Sequence, residues 1–221
     1  MNAFHLYLDS AEVSALQQVL PHPLIYGVTT NPTLLRRAGL AWHDLTHLVN
    51  DIFASGVRAV HLQVTGHTAA EIVASGRELA QLGNPSRVFI KIPSTRNGLS
   101  AAGRLTTEGF SVTTTAVYCP EQVLFSALAG ATYAAPYLGR LEDSGQDGLG
   151  IIGRMQALLN LYHLTTTRLL VASVCSREAV LQLLALGVGS MTLPPALFAE
   201  LLNYPETDHA AATFLQDAQS L

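Results

Sequence analysis

The sequence predicts an α/β fold, a single (β/α)8 TIM barrel with an additional C-terminal helix, and three observations carry that expectation. Short β-branched or apolar runs recur at intervals of about twenty to thirty residues. Amphipathic stretches long enough for a helix separate them, which is the pattern of βα units around a parallel sheet. Eight such units can be counted, and 221 residues suit one barrel domain spanning 1–221.

Strands are expected at 4–9 (FHLYLD), 25–30 (IYGVTT), 59–64 (AVHLQV), 88–93 (VFIKIP), 110–117 (FSVTTTAV), 133–138 (YAAPYL), 168–174 (RLLVASV) and 190–193 (SMTL). The first helix runs from Ser10 to Leu20 after an Asp9-Ser10 start, and Thr68 with Glu71 forms a capping box that opens a helix to about Leu82. Others fill about 43–55, 98–108, 120–129, 148–162, 177–186 and 195–203. A last segment, about 205–221, carries Ala210, Phe214 and Ala218 at helical spacing. A closed barrel does not require that apolar face, so it is expected to pack on the barrel's own mouth or on a neighbouring subunit. No linker or repeat divides the chain.

Composition narrows the function classes. With 49% hydrophobic and 13% charged residues, the surface is expected to be covered in part by other copies of the chain. A formal net charge of −4 and the lack of a basic cluster leave no electrostatic footprint for nucleic acid or an anionic membrane, and neither is expected as a partner. Cys119 and Cys175 are too few for a disulfide scaffold, so a reducing, cytoplasmic compartment is expected. The N-terminal run Met1-Asn2-Ala3-Phe4-His5 enters a strand with no leader-like segment, and no transmembrane span is read.

In a barrel of this kind the active site lies at the C-terminal ends of the strands, so polar residues in the last strand positions are the candidates. Lys91 is the only lysine beside eleven arginines, and it sits inside the apolar run Arg87 to Pro93. A strand of that composition is buried on both faces, where an ammonium is costly unless paired or neutralised. An amine, unlike guanidinium, can lose its proton and attack a carbonyl. Schiff-base chemistry is the resulting expectation, set against the ordinary reading of a snorkelling or edge lysine.

Six further strands bring polar groups to the same rim. They end in Asp9, in Thr29-Thr30-Asn31, in Gln63, in Thr115, in Tyr137 and in Ser173. Strand alternation turns Phe89 inward with Lys91 and sends Ile90 and Ile92 outward to the helices. His61, one layer below Gln63, is expected as a neutral, hydrogen-bonded core histidine. The ordinary alternatives are a helix cap for Asp9, backbone bonds for Thr29 and Thr30, and a surface ion pair for Arg140. His43 and His47 lie at i and i+4 with no third ligand in view, so no metal is expected. No glycine-rich phosphate loop is present, and Ser144 to Gly148 reads as a turn opening a helix.

Seven motifs run in order across essentially the whole chain: Leu6-Tyr7-Leu8-Asp9, Gly27-Val28-Thr29-Thr30-Asn31-Pro32, Ile90-Lys91-Ile92-Pro93, Thr115-Ala116-Val117-Tyr118, Ala134-Ala135-Pro136-Tyr137-Leu138-Gly139-Arg140, Ala172-Ser173 and Thr192-Leu193-Pro194. Through them the chain resembles the small-subunit branch of the transaldolase family, and within it the fructose-6-phosphate aldolases. The resemblance implies a class I aldolase without metal or cofactor, in which Lys91 forms an iminium and Asp9 serves as general base and acid. Asn31, flanked by Thr29 and Thr30, would hold a donor hydroxyl. Gln63, Thr115 and Tyr137 would bind one water, and Arg140 with Ser173 would hold a terminal phosphate.

The implied reaction cleaves or forms the C3–C4 bond of a ketose phosphate such as fructose 6-phosphate, with dihydroxyacetone and an aldehyde such as glyceraldehyde 3-phosphate as the parts. Gln63 with Tyr137 is the pair of the aldolases, where transaldolases proper tend to carry glutamate and phenylalanine. The alternative is a transaldolase moving a dihydroxyacetone unit between sugar phosphates or from a sulfonated sugar. A third reading, from another class, is a non-catalytic sugar-phosphate-binding barrel. The resemblance also implies a homo-oligomer, a pentamer or decamer. Val174-Cys175 departs from the aromatic and lysine usual after Ala-Ser, and Thr114 replaces a usual glycine.

Overall fold

The computed structural model describes residues 4–221; residues 1–3, part of the N-terminal run expected to lead into the first strand, lie outside the described residues. Eight parallel strands alternate with helices in the order β1 (His5–Asp9), α1 (Val13–Gln17), β2 (Ile25–Thr29), α2 (Pro32–Arg37), a 3-10 turn (Trp42–Asp44), α3 (Leu45–Ala54), β3 (Ala59–Gln63), α4 (Ala69–Ala80), β4 (Val88–Pro93) and α5 (Arg96–Thr107). Then follow β5 (Val112–Val117), α6 (Pro120–Leu128), β6 (Tyr133–Pro136), α7 (Leu138–Asp143), α8 (Gly148–Leu161), β7 (Arg168–Leu169), α9 (Arg177–Ala185), β8 (Ser190–Leu193), α10 (Pro195–Leu202) and α11 (Pro205–Gln219).

The strands pair in sequence from β1 to β7, and β8 pairs with β1. Closure between β7 and β8 runs through the chain just after β7: Val171 donates to the Ser190 carbonyl at 3.1 Å and accepts from Thr192 N–H at 2.9 Å. The sheet is thus a nearly closed TIM barrel, with α11 as an extra C-terminal helix.

Period-two alternation sorts the strand residues into two packed spaces. Leu62, Ile90, Ile92 and Val112 point outward into the cluster completed by Ile72, Leu79 and Leu105 of the surrounding helices. Tyr7, Ala59, Phe89, Tyr133, Ala135 and Leu170 fill the barrel's inside. Burying each large aliphatic side chain contributes about 1.5–3 kcal/mol, so the outer layer supplies much of the rigidity that the strand ends need. Gly27 belongs to this geometry too, because a Cβ there would sit 2.3 Å from the Ala59 carbonyl oxygen.

Several expected boundaries are corrected. The strand expected at 168–174 is regular only over 168–169, because the backbone afterwards divides its hydrogen bonds between β6 and β8 and Ser173 turns into the left-handed region at φ 57°. The strand expected at 133–138 stops at Pro136, where α7 begins two residues later. The short helix α2 fills a stretch to which no element was assigned, capped by Asn31, whose Oδ1 accepts from Leu34 N–H at 3.0 Å, with Pro32 in its first turn. The first helix is also shorter than Ser10 to Leu20. The capping box of Thr68 and Glu71 is present, and so is the turn at Ser144 to Gly148, where Asp147 caps α8.

Candidate active site at the C-terminal ends of the strands

Lys91 is 3% exposed, followed by Ile92 and Pro93 at the end of β4, and its register partners are Gln63 on β3 and Thr113 on β5. Its Nζ donates to the Thr30 carbonyl at 3.3 Å. Among the described residues no carboxylate lies within ion-pair distance of it.

Asp9 ends β1 and does not cap α1, whose start has no side-chain cap. Instead its Oδ1 accepts the Thr29 hydroxyl at 2.6 Å, and the Thr29 oxygen is also 2.7 Å from the Thr192 hydroxyl of β8. Thr30 turns its hydroxyl onto the His61 carbonyl at 2.9 Å, so its side chain is tied to the backbone and its carbonyl meets Lys91.

Two irregularities aim residues at the same space. A β-bulge follows Thr115, with Ala116 at φ 53°, and bulges of this kind re-aim neighbouring side chains. Thr115 Oγ1 lies 2.7 Å from the Tyr137 hydroxyl. The Arg140 guanidinium stacks over the Tyr137 ring at 4.8 Å, and the ring of Tyr118 meets Tyr137 edge-on. The left-handed Ser173 packs against Gly139, where a Cβ would sit 2.8 Å from the Ser173 carbonyl oxygen and 2.9 Å from its Oγ. Glycine at 139 therefore lets α7 approach the end of the β7 segment.

These elements enclose a cleft of about 170 Å³ lined by Asp9, Asn31, Lys91, Tyr137, Arg140 and Ser173 together with Thr33, Leu34, Arg37 and Ala172. Six of the ten residues expected at the site thus line one cleft. Of the remaining four, Thr29 and Thr115 bond to cleft residues, Thr30 offers its carbonyl to Lys91, and the half-buried Gln63 stands beside Lys91 in the strand register. Sequence reasoning missed Arg37 and Thr192. The Asn31-Pro32 helix start was the available signal for Arg37, since a six-residue helix returns it to the rim. Three cationic side chains against one carboxylate give the cleft a positive balance suited to an anionic ligand.

Beneath Lys91, His61 is fully buried, its ring stacked on Phe89 at 4.6 Å and its Nδ1 3.0 Å from the Thr113 hydroxyl. Burial first, and the Lys91 charge second, hold it well below the ordinary histidine range, so it is neutral. Its Nε2 has no hydrogen-bond partner among the described residues. Also among the described residues, no three His, Cys, Asp or Glu side chains gather as a metal site. His43 sits in the 3-10 turn beside Asp44 at 3.4 Å, while His47 belongs to α3.

The family model described as transaldolase/fructose-6-phosphate aldolase matches residues 6–221. The chain belongs to that family. Proteins named probable transaldolase are similar to it: one from Caulobacter sp. (strain K31) is 35% identical over 212 residues, covering 96% of this chain and 95% of the relative. One from Geobacter sulfurreducens is 34% identical over 215 residues, covering 97% and 98%, and one from Thermus thermophilus is 34% identical over 220 residues, covering 96% of each. Among solved structures, the recombinant flavin-binding domain of baker's yeast flavocytochrome b2 superposes with a TM-score of 0.62 at 12% identity, covering 90% of this chain and 58% of that one. That likeness is one of barrel fold alone. No helix among the described residues is long and apolar enough to cross a membrane.

Proposed function

We propose that this family member is a Schiff-base (class I) aldolase acting on the C3–C4 bond of a ketose phosphate such as fructose 6-phosphate. The observation that carries the reading is the chain's single lysine, 3% exposed and without a counter-ion among the described residues, opening into a cleft that also holds Asp9 and two arginines. The Lys91 amine adds to the C2 carbonyl, and loss of water leaves an iminium. The Asp9 carboxylate takes the C4 hydroxyl proton as the C3–C4 bond breaks, its electron pair flows into the iminium, and the aldehyde departs from the enamine. A water held by Gln63, Thr115 and Tyr137 then gives a proton to C3. Hydrolysis of the new iminium frees dihydroxyacetone and restores the amine, with no metal or cofactor in the cycle.

In this reading Asn31, beside Thr29 and Thr30, holds a donor hydroxyl, and Arg140 and Ser173 hold the phosphate. Arg37 faces the same cleft and joins them, since guanidinium groups suit forked contacts with phosphate oxygens. The second reading, a transaldolase, is favoured by the names of the relatives at 34–35% identity. Product analysis separates the two: the aldolase releases free dihydroxyacetone from fructose 6-phosphate with no acceptor present. Strict dependence on an added aldehyde would replace the aldolase assignment with the transaldolase one.

The assembly is part of the proposal. Helix α11 has no buried residue, and Phe214 and Leu215 are 70% and 61% exposed, which suits packing on a neighbouring copy in a pentamer or decamer. Light scattering gives the subunit number directly. Both cysteines are free, which fits a cytoplasmic enzyme.

A further inference from the structure

We propose that Thr192 is a positioning residue for the general base, acting through Thr29. This rests on the reading of Asp9 as that base. The Thr29 hydroxyl has one proton and two partners, Asp9 Oδ1 at 2.6 Å and Thr192 Oγ1 at 2.7 Å. An ionised carboxylate only accepts, so the Thr29 proton belongs to Asp9. Thr192 must then be the donor in the second contact. The direction of the chain is fixed: Thr192 to Thr29 to Asp9.

Both threonines are 1% exposed, and no other hydrogen bond to the Thr192 hydroxyl is formed among the described residues. The barrel brings the pair together across 163 residues of sequence, because β1 lies between β2 and β8 and pairs with both. A hydroxyl that is itself accepting a hydrogen bond donates more strongly, so Thr192 strengthens the bond that holds Oδ1. Oδ2 takes no protein hydrogen bond among the described residues and is left for the C4 hydroxyl proton. The relay thereby orients the carboxylate, and a hydrogen bond donated to a carboxylate in general favours its ionised form.

Thr192→Val removes the donor at constant shape. The expected result is a fall in kcat for cleavage of about fivefold to tenfold with KM little changed, the size of one lost hydrogen bond. The acidic limb of the kcat profile should also move to higher pH. The charged groups facing Asp9 across the cleft, Lys91 of β4, Arg37 of α2 and Arg140 of α7, are untouched by the change. Thr192→Ser restores the hydroxyl and should restore both values. In a Thr29→Val background the Thr192→Val change should add nothing, because the relay is already cut, whereas a purely structural effect would persist in full. A Thr192→Val enzyme that matches the parent in kcat and pH profile, or an undiminished effect in the Thr29→Val background, overturns the relay. Asp9→Asn is run alongside. If it retains cleavage, the base assignment falls and the relay with it; if it loses cleavage while Thr192→Val matches the parent, the relay alone falls.

Discussion

The two halves of the barrel's interior are both rich in polar side chains, yet they are built on opposite principles. In the lower half, Tyr7 donates to Tyr133 at 2.9 Å, Tyr133 lies 2.6 Å from His5 Nδ1, and His5 stacks on Tyr26 at 3.9 Å. Tyr7, Tyr133, His5 and His61 are all driven toward their neutral forms. Burial raises both Tyr7 and Tyr133, and burial together with Arg168 and Arg58 lowers His5 to about 4. In the upper half, Lys91, Asp9, Arg37 and Arg140 face one cleft and leave bonding capacity unused. Neutral groups packed against one another make a floor, and charged ones facing a cleft make a site.

Changes in the upper half should damage chemistry and spare the fold, and the largest effect belongs to Lys91. Lys91→Arg keeps the charge and removes the nucleophile, so cleavage should fall by at least about 10³-fold in steady-state assays while Tm barely moves. A collapse of Tm instead would mean that the lysine serves the core.

Arg140→Ala and Arg37→Ala should each raise KM for a phosphorylated donor by about tenfold to a hundredfold, matching the loss of a charged hydrogen bond. Synthesis from dihydroxyacetone and an unphosphorylated aldehyde should hold. An equal loss in both reactions would move these arginines out of the phosphate role.

The lower half makes the reverse prediction. The unfolded chain takes up protons near the ordinary histidine value of about 6.5, and the folded His5 and His61 refuse them. Their contribution to stability is therefore complete above about pH 6.5 and is lost as pH falls toward 4, at up to about 1.4 kcal/mol per pH unit for each histidine. Urea melts between pH 7.5 and 4.5 should follow that slope, and His61→Gln should flatten it. Tyr7→Phe, the mildest change, should lower stability by about 0.5–1.5 kcal/mol in the same assay and leave kcat unchanged. A fall in kcat there would mean that the floor and the site are coupled.

Legibility followed the same division. Lys91, Asp9, Asn31, Tyr137, Arg140 and Ser173 were readable because strand ends are marked by local composition and the barrel brings strand ends to one rim. Arg37 was not, because α2 is too short to show helical periodicity and its start lay inside a motif already read as a strand end. In the run Tyr133 to Leu138 Tyr137 reads as the strand's last polar residue, so the onset of α7 directly after it was hidden. Thr192 stood in a quoted motif without a role for a different reason: its contact with Thr29 exists only once β8 closes beside β1, and no local pattern encodes that.

The central claim is that the buried amine of Lys91 carries the substrate. Borohydride reduction in the presence of dihydroxyacetone, followed by intact-mass and peptide mass spectrometry, tests it with no assumption about the natural substrate. One reduced dihydroxyacetone adduct per chain is expected, mapped to the peptide containing Lys91 and absent from Lys91→Arg. No adduct on the parent protein, or an adduct of the same mass on Lys91→Arg, would contradict it.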